Sequence, residues 1–368
     1  MKRIYLDYAS LTPIDKGVMK EMKKYSKEEY GNPSALYSSG IKAKKALEDA
    51  KSRMAQIIHA HPDEIILTSG GTESNRLVLE SFADKKIIIS NIEHSSIIKN
   101  AKAKHVPIDL EIIKKSITKD TALVSIMLVN NEIGSIQPIK EIAKIVRDAS
   151  KNFNTRIYLH TDACQAPLHL PLYVEKLGID FMTLDGSKIY GPRGMGMLYV
   201  KRGTVKIARE GTENIPGIMG FAYALEKAEK MREKETARLA DLKKFFIEEF
   251  KKINPEIKVN GSLENSVPNI LNISIPNIDN EFFILQLDAN GIECSTKSAC
   301  LRDEDESYVL KAIGAHSRNS VRFSFGRGTS KVDLKKTLEI IRKIMHNTKY
   351  APNVQLHNQG KGSSAPFA

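Results

Sequence analysis

The sequence has few cysteines and no long apolar run, and both shortages narrow the class of protein. Its 368 residues include three cysteines, Cys164, Cys294 and Cys300, with no Cys-x-x-Cys pair. This odd number indicates neither a disulfide framework nor a zinc site, so no metal is expected. No stretch approaches the roughly 20 apolar residues of a membrane span, and the first residues lack an apolar segment of signal-peptide length. We therefore expect a cytoplasmic protein without a membrane partner.

Acidic residues are also in the minority, since 56 lysines and arginines face 44 acids and the formal net charge is +12. A basic chain can bind nucleic acid. The basic residues are scattered, however, and they alternate with acids in helix-like stretches such as 41–53 and 223–252. This pattern is typical of a solvated surface, and no specific nucleic-acid partner is expected.

Between about residues 60 and 200, short β-branched runs alternate with helical patterns. Strands are predicted at 64–68, 86–90, 122–129, 156–162, 180–184 and 195–200, and helices at 72–83, 95–104 and 138–151. Strands that alternate with helices and contain few polar residues predict a mostly parallel sheet covered on both faces. Ligands bind such sheets at the carboxyl ends of the strands.

The pattern changes after residue 200. A long helix is predicted at 217–253, followed by strands at 257–260, 269–275, 291–295 and 320–325 and by helices at 280–289 and 331–346. This succession indicates a smaller α+β domain. The last residues, 353–368, are polar and aperiodic, which predicts a disordered tail.

A candidate phosphate cradle lies at residues 68–75, Thr-Ser-Gly-Gly-Thr-Glu-Ser-Asn. A predicted strand ends there in a Gly-Gly turn before a helix, whose first N–H groups favour an anion. The Lys-Ser/Thr of a nucleotide P-loop is missing, so ATP is not indicated. Taken alone, an ordinary capped strand-to-helix turn explains the segment equally well.

Two charged residues also follow predicted strands. Asp162 ends an apolar run, where a carboxylate needs a cationic partner such as a protonated pyridine nitrogen, although a helix N-cap is the competing interpretation. Lys188 stands just beyond another buried strand, and a lysine in an apolar pocket can form a Schiff base. Cradle, acid and lysine are the three parts that an enzyme dependent on pyridoxal 5′-phosphate (PLP) needs.

Short motifs extend this pattern from Ile4 to about Met345. In order they are Tyr5-Leu-Asp-Tyr-Ala, Gly31-Asn-Pro-Ser, the cradle at 68–75, Glu93-His94, Asn130-Asn-Glu-Ile-Gly, His160-Thr-Asp-Ala-Cys-Gln, Lys188-Ile-Tyr-Gly-Pro, Gly211-Thr-Glu-Asn, Ser298-Ala-Cys300 and Val321-Arg-Phe-Ser-Phe-Gly-Arg. In these motifs the sequence resembles the cysteine desulfurases of the iron–sulfur-assembly type, in class V of the aminotransferase fold.

The resemblance implies an α/β protein with the PLP-dependent aspartate-aminotransferase fold (fold type I). Its large domain, with a mostly parallel sheet, would span 14–232. The small α+β domain would combine 1–13 with 233–347 and carry the Cys300 loop, and 348–368 would be a disordered tail. The protein would be a homodimer.

The resemblance also assigns roles to particular residues. Lys188 would hold PLP covalently and move protons, Asp162 would pair with the pyridine nitrogen, and Gln165 would contact the ring hydroxyl. His94 would stack on the ring and assist proton transfer. The phosphate ligands would be Gly71, Thr72 and Ser187, with Thr212 contributed by the partner subunit. Asn131 and Arg322 would bind the substrate carboxylate.

Cys300 matches the catalytic cysteine of that family. The implied reaction converts L-cysteine to L-alanine, while the Cys300 thiolate accepts the sulfur as a persulfide. Lys297 and Arg302 would favour the thiolate through their positive charge, and the polar segment around them suits a mobile loop. The sulfur would then pass to an acceptor protein such as an iron–sulfur scaffold, or serve tRNA thiolation.

Some positions depart from the family pattern. Ser187 replaces a histidine, and Asp185 replaces a serine or cysteine near the phosphate, where an acid either points away or lowers affinity for the cofactor. The segment between Val200 and Thr212 is shorter than usual. Two alternatives therefore stay open: another class V reaction, such as transamination or selenocysteine lysis, and a weakly catalytic scaffold that binds an assembly partner.

Overall fold

The main sheet of the computed structural model has seven strands. The structure describes residues 3–27, 29–209, 211–296 and 306–348. The strands of this sheet are β2 (Ile65–Thr68), β3 (Lys86–Ser90), β4 (Ala103–Val106), β5 (Thr121–Ser125), β6 (Tyr158–Asp162), β7 (Phe181–Asp185) and β8 (Gly196–Val200). Their spatial order is β2-β8-β7-β6-β5-β3-β4. Strand β8 runs antiparallel to both neighbours, and the other neighbouring pairs are parallel. The predicted mostly parallel sheet is confirmed.

Helices cover this sheet on both faces. Those of the first part of the chain are α1 (Lys16–Lys27), α2 (Ser38–Ile58), α3 (Gly71–Glu80), α4 (Ser95–Ile98), α5 (Leu110–Ser116), α6 (Ile139–Asn152) and α7 (Val174–Leu177). Successive strand residues point to opposite faces. Ile88 and Val124 accordingly belong to one hydrophobic cluster, and Ile87, Ile89 and Leu123 belong to another. Burial on both faces explains why these strands are almost wholly apolar.

A second, smaller group of strands comes from the chain beyond residue 253 and from its first residues. Strands β9 (Lys258–Asn260), β10 (Ile270–Ser274) and β12 (Ser320–Ser324) form an antiparallel sheet in the order β12-β10-β9, while β1 (Ile4–Tyr5) pairs in parallel with β11 (Ile292–Glu293). The accompanying helices are α9 (Asn280–Ala289), α10 (Tyr308–Ala312) and α11 (Lys331–Thr348). Their core includes Ile4 and Leu6 from the start of the chain.

Helix α8 (Ile215–Ile253) connects the two parts and has 39 residues. Asn214 caps its first turn by accepting a hydrogen bond from the Gly217 N–H at 3.1 Å. Its first half, from Ile215 to Leu225, packs in the core of the large sheet. Its second half, from Leu239 to Phe250, packs in the core of the smaller group. No residue between 229 and 238 is fully buried.

Two local predictions are wrong. The segment 95–104 was expected to be helical, yet α4 is a single turn and β4 follows it. Strand β4 forms there because it pairs in parallel with β3. The strand expected at 122–129 ends at Ser125, although the Ile126 and Leu128 N–H groups still donate to carbonyl groups of β6.

Two expectations reach beyond the described residues. Apart from Thr348, the tail at 348–368 lies outside them, and so do Cys300 and its flanking residues Lys297 and Arg302. Within the described ranges, no helix combines the length and the apolar character needed to cross a membrane.

Candidate active site

A cavity of about 210 Å³ opens where the parallel strands of the main sheet end. Asp162 and Asp185 terminate β6 and β7, and Gly71 begins α3 directly after β2. The predicted site residues that line this cavity are Gly71, Thr72, His94, Asn131, Asp162, Gln165, Lys188 and Arg322. The structure therefore brings together residues that are separated by up to 251 positions in the sequence.

Asp162 presents a nearly buried carboxylate to this cavity. It is 5% exposed, and its Oδ2 accepts a hydrogen bond from Asn75 Nδ2 at 2.7 Å. Its Oδ1 accepts from the Cys164 N–H at 3.0 Å. These two donors orient the carboxylate without neutralising it, and no ion pair with it is formed within the described ranges. A cationic ligand atom would complete this arrangement.

Lys188 lies in a short 3-10 turn, Gly186–Lys188, that follows β7. Its Nζ donates a hydrogen bond to the carbonyl oxygen of Ser10, so the N-terminal segment holds the end of the side chain at the cavity. Gln165 is held by the same segment, because its Nε2 donates to the Ala9 carbonyl at 2.9 Å. Hydrogen bonds thus fix the positions of the Asp162, Gln165 and Lys188 side chains at the cavity.

Arg322 comes to the cavity from β12 and is 1% exposed. Its Nη1 donates to the Asn131 carbonyl and its Nη2 to Asp7 Oδ1, each at 2.8 Å. Its Nε is buried and has no hydrogen-bond partner in the described part of the chain. Two of the five guanidinium N–H donors are thus hydrogen-bonded among the described residues, and a carboxylate ligand could pair with donors that remain, because an unpaired buried donor is costly.

His94 caps α4 and lines the cavity. Its Nδ1 accepts a hydrogen bond from the Ser96 N–H at 3.2 Å and lies 2.8 Å from Ser96 Oγ. A neutral imidazole that accepts at Nδ1 carries its proton at Nε2. The neighbouring Glu93 is fully buried, and burial raises the pKa of its carboxyl to about 8.

The candidate phosphate cradle occupies the first turn of α3. Gly70 has a φ of +149°, and a Cβ on Gly71 would lie 2.7 Å from Cys164 Sγ, so this backbone accepts no side chain without a shift. The Gly71 N–H donates to Asp185 Oδ2 at 2.9 Å. Ser187 is not among the residues that line the cavity, and its N–H and hydroxyl both donate to Asp185 Oδ1.

Thr212 lies apart from the other predicted phosphate ligands. It lines a separate cavity with Lys51 and Arg209, next to β2. Within one subunit it therefore does not reach the cradle, and its contribution from a partner subunit stays a prediction.

Sequence reasoning missed Asn75 as a site residue. Asn75 is 1% exposed and donates both to Asp162 and to Ser96 Oγ, the latter at 2.9 Å. Its position four residues after Gly71 on a helix, on the same face, is the signal that was available. Cys164 also lines the cavity, and burial raises the pKa of its thiol well above the usual value. Cys294 packs against the smaller core, and its thiol pKa is also raised by burial.

Known proteins resemble this chain in sequence and in fold. Residues 4–208 and 203–336 match the family model described as aminotransferase class V. A cysteine desulfurase named IscS from Dictyoglomus turgidum is 39% identical over an alignment of 382 residues, covering 94% of this chain and 95% of that protein. A solved structure of a NifS-like protein superposes with a TM-score of 0.86 at 30% identity, covering 94% of this chain and 100% of its own. A structure described as SspA in complex with cysteine gives a TM-score of 0.73 at 28% identity, over 87% of this chain and 98% of the other.

The chain therefore belongs to the class V aminotransferase family, which has the PLP-enzyme fold of type I. Within that family its full-length relatives at 35–39% identity are cysteine desulfurases, and it is a member of that group.

The described residues fit PLP at the ring end of the site. Lys188 supplies an amine, Asp162 a buried carboxylate without a cation, and the α3 N-terminus offers N–H groups for a phosphate. One residue conflicts with this fit, because the Asp185 carboxylate already accepts hydrogen bonds at the phosphate end.

Proposed function

We propose that this protein is a PLP-dependent cysteine desulfurase that converts L-cysteine to L-alanine and transfers the sulfur to Cys300 as a persulfide. The observation that carries the proposal is the meeting of Lys188, Asp162 and Arg322 at one cavity. The product would supply sulfur for iron–sulfur cluster assembly, tRNA thiolation or both.

PLP, when bound, would make the substrate Cα acidic and its sulfur electrophilic. The chain's own residues would position the reactants. Asp162 would keep the pyridine nitrogen protonated, and Asn75 would hold that carboxylate in place through its 2.7 Å hydrogen bond. Gln165 would contact the ring hydroxyl, and Gly71, Thr72 and Ser187 would bind the phosphate.

The substrate carboxylate would bind at Arg322, whose Nε lacks a partner, beside Asn131. Lys188 and His94 would exchange protons with the substrate, His94 through its protonated Nε2. The Cys300 thiolate would then attack the substrate sulfur, so that a new S–S bond forms as the Cβ–S bond breaks, and alanine leaves after Cβ is protonated. The balance is one cysteine and one thiol converted to alanine and one persulfide.

The hydrophobic clusters support a division into two domains. We propose a large domain at 14–232 and a small domain made of 1–13 and 233–347, because the side chains of Ile4 and Leu6 pack with those of α8, β10 and β12. Arg322 and the Cys300 loop would then come from the small domain to a site built on the large one.

The functional unit would be a homodimer located in the cytoplasm. Large apolar side chains are exposed along one short segment: Tyr30 (72%), Leu36 (93%), Tyr37 (59%) and Ile41 (59%). Such a concentration is typical of a surface covered by another chain. The partner subunit would bring its Thr212 to the phosphate, and an acceptor protein such as an iron–sulfur scaffold would take the sulfur.

The absorbance spectrum of the purified protein with added PLP tests the proposal. We expect an absorbance band at the edge of the visible range that shifts when L-cysteine is added. Lys188→Ala should abolish this band, whereas Lys140→Ala, at an exposed lysine, should keep it. Cys300→Ala should retain the band but lose alanine and persulfide formation, and Cys294→Ala should retain both. Alanine formation that survives Cys300→Ala would instead favour another class V reaction, and a protein that never acquires the band would favour the scaffold.

A further inference from the structure

Two of the residues expected to bind the cofactor phosphate, Gly71 and Ser187, already donate hydrogen bonds to a carboxylate of the chain itself. Asp185 Oδ2 accepts from the Gly71 N–H at 2.9 Å. Asp185 Oδ1 accepts from the Ser187 N–H at 2.7 Å and from the Ser187 hydroxyl at 2.6 Å. Two backbone N–H groups and one hydroxyl, the donor set of a phosphate site, therefore surround an internal anion.

Only part of this arrangement is a local cap. The bonds of Oδ1 stabilise the 3-10 turn Gly186–Lys188, as aspartate often does at a turn. The bond of Oδ2 is different, because it joins residues 114 positions apart and reaches the first N–H of the ten-residue helix α3. A Cβ on Gly70 would lie only 3.1 Å from Oδ2, so the glycine backbone also leaves room for this carboxylate.

Two acidic side chains already lie at the cradle. Glu73, in the first turn of α3, accepts from the Ser69 N–H and pairs with Arg209 at 3.5 Å. The helix N-terminus therefore has two acids, Glu73 and Asp185, and its positive partial charge is compensated before any ligand binds. A phosphate monoester adds about 1.5 to 2 further negative charges at neutral pH.

We infer that Asp185 occupies the phosphate cradle as an internal competitor, so that PLP binds only when this carboxylate is displaced or neutralised. The inference rests on the proposed function, since it concerns the same cofactor site. Asp185 is then the residue that sets cofactor specificity: it lowers the advantage of PLP over unphosphorylated pyridoxal and makes the bound cofactor readily dissociable.

Binding of PLP and of pyridoxal to the wild type, Asp185→Asn and Asp185→Ser tests the inference. Two unit charges about 4 Å apart near a protein surface repel by an energy equivalent to about a thousandfold in affinity, and solvent exposure reduces this. We expect PLP to bind at least about tenfold more tightly to both variants, and pyridoxal to change by less than about threefold. The exposed Asp84→Asn is the matched control and should equal the wild type.

A second readout does not require the cofactor ring. Inorganic phosphate should raise the melting temperature of Asp185→Ser more than that of the wild type, because the cradle donors of the variant are released. Equal PLP affinities in the wild type and both variants would overturn the inference while leaving the proposed function intact, as long as the Lys188-dependent band is present. If neither Asp185 variant acquires that band, both the inference and the proposed PLP site are wrong.

Discussion

Glu93 is a carboxyl group whose ionisation the fold opposes. It has 0% exposure, and its Oε1 accepts hydrogen bonds from Ser90 Oγ and from the Met127 N–H at 2.8 Å. Its Oε2 is buried without a partner within the described residues. Burial, aided by the negative charge of Asp162, raises its pKa from 4.5 to about 8. The folded protein therefore holds a proton here that the unfolded chain releases.

The sign of the pH dependence follows directly. Between pH 4.5 and about 8 the native state binds more protons than the unfolded state, so this group lowers the free energy of unfolding as pH rises through that window. The full shift corresponds to at most about 5 kcal/mol. Glutamine reproduces the protonated group in shape and keeps an acceptor for Ser90 and Met127, so Glu93→Gln should abolish this loss.

Urea unfolding of the wild type and Glu93→Gln at pH 5, 6, 7 and 8 measures the effect. The free energies of unfolding of the two proteins should be nearly equal at pH 5. As the pH rises toward 8, the variant should become steadily more stable than the wild type at the same pH. His160, whose pKa burial lowers to about 4, contributes with the opposite sign but is common to both proteins. Glu248→Gln, an exposed change on α8, controls for the substitution itself. Parallel stability curves for the wild type and Glu93→Gln would refute the reasoning.

Three further predictions concern the cavity and the exposed apolar segment. Arg322→Lys should raise KM for L-cysteine at least about tenfold while the cofactor band persists, because lysine lacks the planar fork of arginine; an unchanged KM would place the substrate carboxylate elsewhere. Gly71→Ala should cost about 1–3 kcal/mol in urea unfolding because its Cβ meets Cys164 Sγ at 2.7 Å. Gly71→Ala should lower the free energy of unfolding much less in a Cys164→Ala background. An equal loss in both backgrounds would mean that the added Cβ is strained against another contact. Leu36→Glu, at a side chain 93% exposed, should convert a dimer to a monomer in light scattering; a monomeric wild type would contradict the proposed interface.

The buried strands could be predicted because their apolar residues are contiguous. Strand β3 has the predicted bounds, Lys86–Ser90, and helix α9 has its predicted bounds, Asn280–Ala289. Strand β4 could not be recognised, because Lys104 and His105 are exposed at an edge of the sheet and only the pairing with β3 makes the segment a strand. Such pairing is a tertiary effect that local propensity does not contain.

The site was predictable to the extent that its residues follow strands. Asp162 and Lys188 could be selected because each stands at the end of an apolar run, and the parallel sheet then brings them to one edge. The contact between Asn75 and Asp162 depends on how α3 packs on the sheet, which the sequence pattern does not specify. The orientation of Asp185 was open for the same reason, and the role of Cys300 stays a prediction.

Helix α8 also determines where this protein can tolerate changes in length. Its two buried stretches, Ile215 to Leu225 and Leu239 to Phe250, face different cores, and residues 229–238 between them include no fully buried residue. One residue inserted into that segment would rotate the second stretch by about 100° and advance it by about 1.5 Å. Phe246 and Phe250 would then leave the core that they share with Phe323. The middle of α8 is thus a spacer of fixed length and phase.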